Sequence, residues 1–202
     1  MKYIFAFLSM IIGLPAMAQS LRESGTSEND IVPEGWEKTV VQGDLNKDGI
    51  ADLVLIAYPD SSKSILAIYF GSAEGKLSCW KKYEEVIPIA TEEFENVDVD
   101  LSITSKGVLR INISHSSDVG SYFTSTDKYS FRYQNEDFYL IGYEEQSLQR
   151  NIGTMTTTSD NYLTWKRKVR TENIFEDEGP APKEKWSTLP RKALEKLGAR
   201  EL

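Results

Sequence analysis

Gly43-Asp44-Leu45-Asn46-Lys47-Asp48-Gly49-Ile50-Ala51-Asp52-Leu53 is the stretch on which the reading of this chain turns. Counted from Asp44, side-chain oxygens stand at the first, third, fifth and ninth positions. A hard cation such as calcium takes about six to eight oxygen ligands at short range. Asp44, Asn46 and Asp48 reach one centre when the chain coils tightly between them. Gly49 supplies the sharp turn, because it tolerates positive φ at little steric cost. Ile50 offers its main-chain carbonyl, and Asp52 closes the loop. An ordinary polar turn uses the same residue types, since Asp, Asn and Gly all suit turns. Four oxygen-bearing residues at this spacing, together with the glycine, favour calcium binding. The role expected of the cation is structural: it neutralises clustered carboxylates and pins a connection.

The flanks fix the kind of connection. Upstream, Thr39-Val40-Val41 is a short β-prone run. Downstream, D-L-V-L-I-A-Y over residues 52–58 is apolar and too short for a typical helix. Short apolar runs with β-branched residues, bounded by Gly and Pro, read as strands. The loop therefore joins two strands. It resembles an EF-hand loop up to its ninth position, but the twelfth position, where an EF-hand has a bidentate Glu, is Leu55, and the flanking helices are missing.

G-D-L-N-K-D-G-I-A-D-L-V-L-I-A-Y-P (residues 43–59), followed by I-L-A-I-Y-F-G-S (residues 65–72), resembles one FG-GAP repeat, the calcium-binding unit of integrin-type β-propellers. The resemblance implies calcium held between the first strands of a propeller blade. By position it implies Asp44, Asn46, Asp48, the carbonyl of Ile50 and Asp52 as ligands. It covers about thirty residues and names no activity.

The rest of the chain supports a β-rich architecture. Residues 64–70 and 77–83 read as two further strands, completing a four-stranded antiparallel meander the size of one blade. A propeller needs about four to eight blades, and no second aspartate loop occurs, so a complete propeller is not expected. Residues 84–96 hold Glu92, Glu93 and Glu95 around Phe94, an acidic turn or short helix. Residues 97–103 and 108–113 alternate apolar and polar and form a second hairpin. Residues 129–143 form a third, turning at Asn135-Glu136. There Tyr133 faces Phe138, Phe131 faces Leu140 and Tyr129 faces Gly142, while Tyr139, Ile141 and Tyr143 point the other way. These aromatics read as core or as an exposed platform for a glycan or peptide. Residues 161–170 read as a late strand whose Lys166-Arg167-Lys168 run is a solvated edge, and residues 172–185 as a loop. Thr188 is an N-cap for a short C-terminal helix that places Leu194 and Leu197 on one face and ends near Gly198.

The first 18 residues have the pattern of a secretory signal peptide: Lys2, an apolar run over residues 3–14, and Ala16-Met17-Ala18 as a cleavage site. The apolar run is shorter than the roughly 20 residues of a membrane span, so no stable span is expected after cleavage. Residues 19–31 are polar and read as a flexible leader, and residues 32–202 as a single β-rich domain. The expected compartment is periplasmic or extracellular. The whole chain has a formal charge of −8, and loss of Lys2 with the first 18 residues leaves −9. So acidic a chain is a poor nucleic-acid binder.

Chemistry for catalysis is sparse. His115 is the lone histidine and Cys79 the lone cysteine. No disulfide forms within the chain, and a zinc site lacks ligands. Cys79 reads as a buried, inert thiol. Ser114, Ser116, Ser117 and Asp118 surround His115, but triads are defined by geometry, and neighbours in sequence seldom have it. No G-x-S-x-G elbow is present. The sequence therefore assigns no catalytic residue. It points to a secreted, calcium-stabilised β domain with a binding or structural role in the envelope and a protein or glycan partner. The alternative is a secreted hydrolase of glycans or peptides, because abundant Asp and Glu leave paired-carboxylate chemistry open.

Overall fold

A computed structural model describes residues 19–91, 96–116, 123–175 and 181–202. The expected signal peptide and the acidic segment around Phe94 lie outside the described residues. The fold is mainly β, as expected, and the described residues show no complete propeller. The described residues contain β1 (Ser24–Gly25), α1 (Glu28–Ile31), β2 (Glu37–Gly43), β3 (Asp52–Asp60), β4 (Lys63–Gly71), β5 (Leu77–Glu84) and β6 (Asn96–Ile103). They continue with β7 (Val108–Ser116), β8 (Phe123–Gln134), β9 (Asp137–Gln149), β10 (Thr154–Asn161), β11 (Lys166–Asn173) and β12 (Lys183–Thr188).

Two antiparallel sheets result. The first has the order β1-β5-β4-β3-β2, and the second runs β12-β11-β10-β9-β8-β7-β6. The expected meander is β2 to β5, and the expected second hairpin is β6–β7. Strand alternation separates two apolar clusters. Val54, Ile56, Leu66 and Ile68 meet Leu109, Ile111, Phe131 and Phe138 of the second sheet in the core between the sheets. Leu53, Leu55, Ala57, Ala67 and Tyr69 point away from it.

That outer face is covered by the segment expected as a flexible leader. Leu21 and Ile31 are buried in the outer cluster, and Ser24 pairs with Ser78. Ser27 caps α1 by accepting the Asp30 N–H. The Tyr69 hydroxyl donates to the Arg22 carbonyl at 2.8 Å, and Lys82 Nζ donates to the Leu21 carbonyl at 2.8 Å. Residues 19–31 are thus a lid on the first sheet. They are polar because only Leu21 and Ile31 need to reach inward.

Three further expectations are corrected. First, residues 161–170 are not one strand: β10 and β11 form a hairpin that turns through Tyr162–Trp165, with Trp165 at φ +56°. The Lys166-Arg167-Lys168 run is interior to the sheet, because β12, drawn from the expected 172–185 loop and its sequel, pairs beyond it. Second, the aromatic hairpin has the expected turn and the Tyr133–Phe138 and Phe131–Leu140 pairs, but a bulge at Ile141 shifts the register. Ser130 pairs with Gly142 and Tyr129 with Tyr143. The bulge brings Tyr143 to the core face, 5.1 Å from the Tyr129 ring centroid. Core packing is what this hairpin does.

Third, no helix forms at the C-terminus. The Leu140 N–H donates to the Glu195 carbonyl and the Leu197 N–H to the Phe138 carbonyl, so this segment is held along β9. Leu197 is buried in the core. Gly198 sits at φ +79°, and a Cβ there would lie 2.3 Å from the Tyr83 ring. Pairing to β9 and burial of Leu197 outweigh the intrinsic preference of a short, isolated helix.

Lys196 also clamps the sheet, with Nζ 2.8 Å from Asp137 Oδ2. Burial raises the Asp137 carboxyl, but Lys196 and the Phe138 N–H outweigh that and hold it below the usual Asp range. A depressed carboxylate stabilises the fold above its unfolded pKa, about 3.9, and loses that contribution as pH falls through its folded value. Urea midpoints measured between pH 5 and pH 2 should therefore fall less steeply for Asp137→Asn than for the native chain. Parallel curves would show that the ion pair carries no linkage.

Candidate functional site

The aspartate loop joins β2 to β3, the strand–loop–strand context expected of it. Gly49 adopts φ +84° and Lys47 φ +66°. Asp44 Oδ1 accepts the Lys47 N–H at 2.7 Å and Oδ2 the Gly49 N–H at 3.0 Å. Asn46 Oδ1 accepts the Asp48 N–H at 3.0 Å, and Asp48 Oδ1 accepts the Ile50 N–H at 2.8 Å. The side chains thus coil the loop around its own amides. Gly107, at φ +69°, lies beneath it; a Cβ there would be 2.9 Å from the Asp44 carbonyl oxygen. The loop is therefore seated on the β6–β7 turn.

Asp52 differs from the other three. It is fully buried. Its Oδ2 accepts the N–H groups of Leu45 at 2.8 Å and Asn46 at 3.4 Å, and its Oδ1 accepts the Gly71 N–H at 3.0 Å. Burial pushes the carboxyl up, against the pull of those donors and with a further push from Asp48. Asp52 therefore latches the loop to the end of β4. Gly71 has to be glycine, since a Cβ there would stand 2.2 Å from the Ala51 carbonyl oxygen.

The donor set is all oxygen, which suits a hard cation. Asp44, Asn46 and Asp48 keep lone pairs beyond those already used. Among the described residues, however, no group of three or more His, Cys, Asp or Glu side chains is gathered as a metal site. Asp52, turned inward onto amides, has a sufficient structural explanation. The structure brings Asp44, Asn46, Asp48 and Ile50 into one coiled turn, with Asp52 beneath them.

The residues weighed for catalysis are separated. His115 Nε2 lies 3.6 Å from Asp127 Oδ2. Ser114 and Ser116 are its neighbours on β7, so alternation sends them to the opposite face. Ser114 Oγ is 3.2 Å from Thr126 Oγ1. Ser117 and Asp118 lie outside the described residues. Cys79 is partly rather than fully buried on β5, packed against the outer cluster; burial is the main cause raising its thiol, with Lys82 opposing.

A second feature was not anticipated from the sequence. On β7, Leu109, Ile111 and Ile113 enter the core, so Arg110 and Asn112 face away from it. Sheet register carries that polar face across the strands. One row runs Arg110–Ser130–Gly142–Asn161–Lys166, and the next Asn112–Lys128–Glu144–Ser159–Lys168–Trp186. Strands β6 and β12 would lie about 29 Å apart in a flat sheet. One cavity of about 1010 Å³ nevertheless touches Ser102 on β6 and Trp186 on β12. The sheet is curled into a half-barrel whose polar face lines a trough. Lys128 Nζ is 3.0 Å from Glu144 Oε1, and Ser159 Oγ donates to Glu144 Oε2 at 2.8 Å. Burial raises the Glu144 carboxyl, but Ser159 and Lys128 hold it below the usual range. The available signal was the R-I-N-I alternation of β7; the curl has no local signature.

Comparison with family models, curated proteins and solved structures finds no match to this chain.

Proposed function

We propose that this chain is an exported β domain that binds rather than catalyses, with calcium as a structural cation at the 44–52 loop. The observation that carries the reading is the loop itself: oxygen-bearing residues at the expected spacing, coiled between β2 and β3 with Gly49 at positive φ. Asp44, Asn46, Asp48 and the Ile50 carbonyl supply the oxygens, while Asp52 holds the loop to β4. Calcium neutralises the charge that Asp44 and Asp48 bring to one turn. Extracellular fluids supply calcium at concentrations that loose sites use.

A cation that binds only the folded chain stabilises it by about 2.7 kcal/mol at a hundredfold excess over Kd. For a chain of this size that raises Tm by about 5–10 °C. Melting in millimolar calcium, in magnesium and in chelator checks this. Calcium should raise Tm and magnesium should do less, because it demands a tighter octahedron and keeps its waters. Identical melting in calcium and chelator refutes the calcium reading.

A further inference from the structure

We infer that the trough of the seven-stranded sheet is a binding site for an acidic oligosaccharide, a short chain of sugars bearing carboxylates. The inference deepens the binding role proposed above and does not depend on the calcium loop.

Four cations line the trough, Arg110, Lys128, Lys166 and Lys168, in a chain whose overall charge is −8. Glu144 opposes them. The Asp160 carboxylate is held by Arg167, with Nε and Nη2 at 2.6 and 2.7 Å. Lys128 is neutralised by Glu144, and Lys168 by Glu184 at 3.3 Å. Among the described residues, Arg110 and Lys166 have no ion-pair partner. They stand in the same cross-strand row, separated by Ser130, Gly142 and Asn161. Gly142 has no side chain to fill the middle of that row. The two free charges therefore flank an open floor bordered by hydroxyl and amide groups.

Two properties select a sugar over another anion. First, hydroxyl and amide side chains in the floor, including Ser130, Ser159 and Asn161, match the mixed donors and acceptors of sugar hydroxyls. Second, Trp186 stands at one rim, 61 % exposed, with Lys168 Nζ 5.8 Å from its ring centroid. An exposed aromatic ring offers a flat apolar face with a polar edge, which suits stacking against a pyranose. Arg110 suits a carboxylate in particular, because its guanidinium donates in a planar fork. The cavity is of the size that holds small ligands, about 300–1,000 Å³.

The test is calorimetric titration of the whole chain, in calcium-free buffer, with tetragalacturonate, its neutral methyl ester and tetrapolyphosphate. The acid should bind, and the ester should bind about tenfold more weakly or not at all. Arg110→Gln with Lys166→Gln should weaken the acid about tenfold, and Trp186→Ala should weaken it too. Urea midpoints of these variants should match the native chain, since all three side chains are on the solvated face. Failure of the acid to bind, equal binding of acid and ester, or variants without effect overturns the inference. Tetrapolyphosphate binding as tightly as the acid also overturns it, because charge alone would then suffice. A chain that ignores tetragalacturonate but gains stability from calcium loses this inference and keeps the calcium reading. A chain that binds the acid without any calcium response does the reverse.

Discussion

Asp52→Ala is expected to lower the free energy of unfolding by about 3 kcal/mol, through hydrogen bonds rather than lost apolar burial. The carboxylate is fully buried and accepts N–H groups from both sides of the loop, with Leu45 at 2.8 Å and Gly71 at 3.0 Å. Truncation leaves those donors without an acceptor, and each unsatisfied buried donor costs about 1–3 kcal/mol. Relief of the buried charge opposes this, since burial raises the carboxyl. Two good hydrogen bonds to a charged group outweigh that relief, at about 1.5–3 kcal/mol each. Asp48→Ala, at an exposed position, should cost far less without calcium. Equilibrium urea unfolding in chelator separates the two variants. Equal and small losses would show that Asp52 is only another turn residue.

The second large effect concerns the packing of the two sheets. Phe138 is fully buried on β9, and its ring centroid lies 5.3 Å from that of Trp80 on β5 and 5.1 Å from that of Tyr133 on β8. It therefore joins the first sheet to the second. Phe138→Ala should destabilise by about 3–5 kcal/mol, combining lost transfer free energy with a cavity that rigid aromatic neighbours cannot close. Trp186→Ala removes a larger ring from a solvated edge and should stay within about 0.5 kcal/mol. Urea midpoints give both values. Similar losses for the two would mean that the sheets do not share the core described.

Much of the meander was legible because its central strands are short apolar runs bounded by Gly and Pro. The unbroken apolar run of β3 contained more information than a strand assignment. Burial on both faces produces such runs, so residues 52–57 required a cover on the outer side. Leu21 and Ile31 are that cover, and their isolation among polar residues is why the segment read as a leader. β10 was missed for the opposite reason. Thr154 to Asn161 has almost no apolar residue, and only the β-propensity of its threonines marks it. The Ile141 bulge is a one-residue insertion with no turn residue to announce it, yet it decides which face Tyr143 joins.

The site was legible in part. Spacing alone placed Asp44, Asn46, Asp48 and Gly49 in a coiled loop between strands. It could not distinguish Asp52, because burial depends on Gly71 reaching back from the end of β4, nineteen residues away. The trough was invisible for a similar reason. Arg110 and Lys166 are distant in sequence and share a row only through β8, β9 and β10.

The calcium site proposed for the 44–52 loop consists of Asp44, Asn46, Asp48 and the Ile50 carbonyl. Calorimetric titration of the metal-free chain with calcium tests it most directly. The native protein should take up one calcium per chain, and folded Asp48→Ala should give no binding heat. Absence of binding by the native chain, or equal binding by Asp48→Ala, would contradict it.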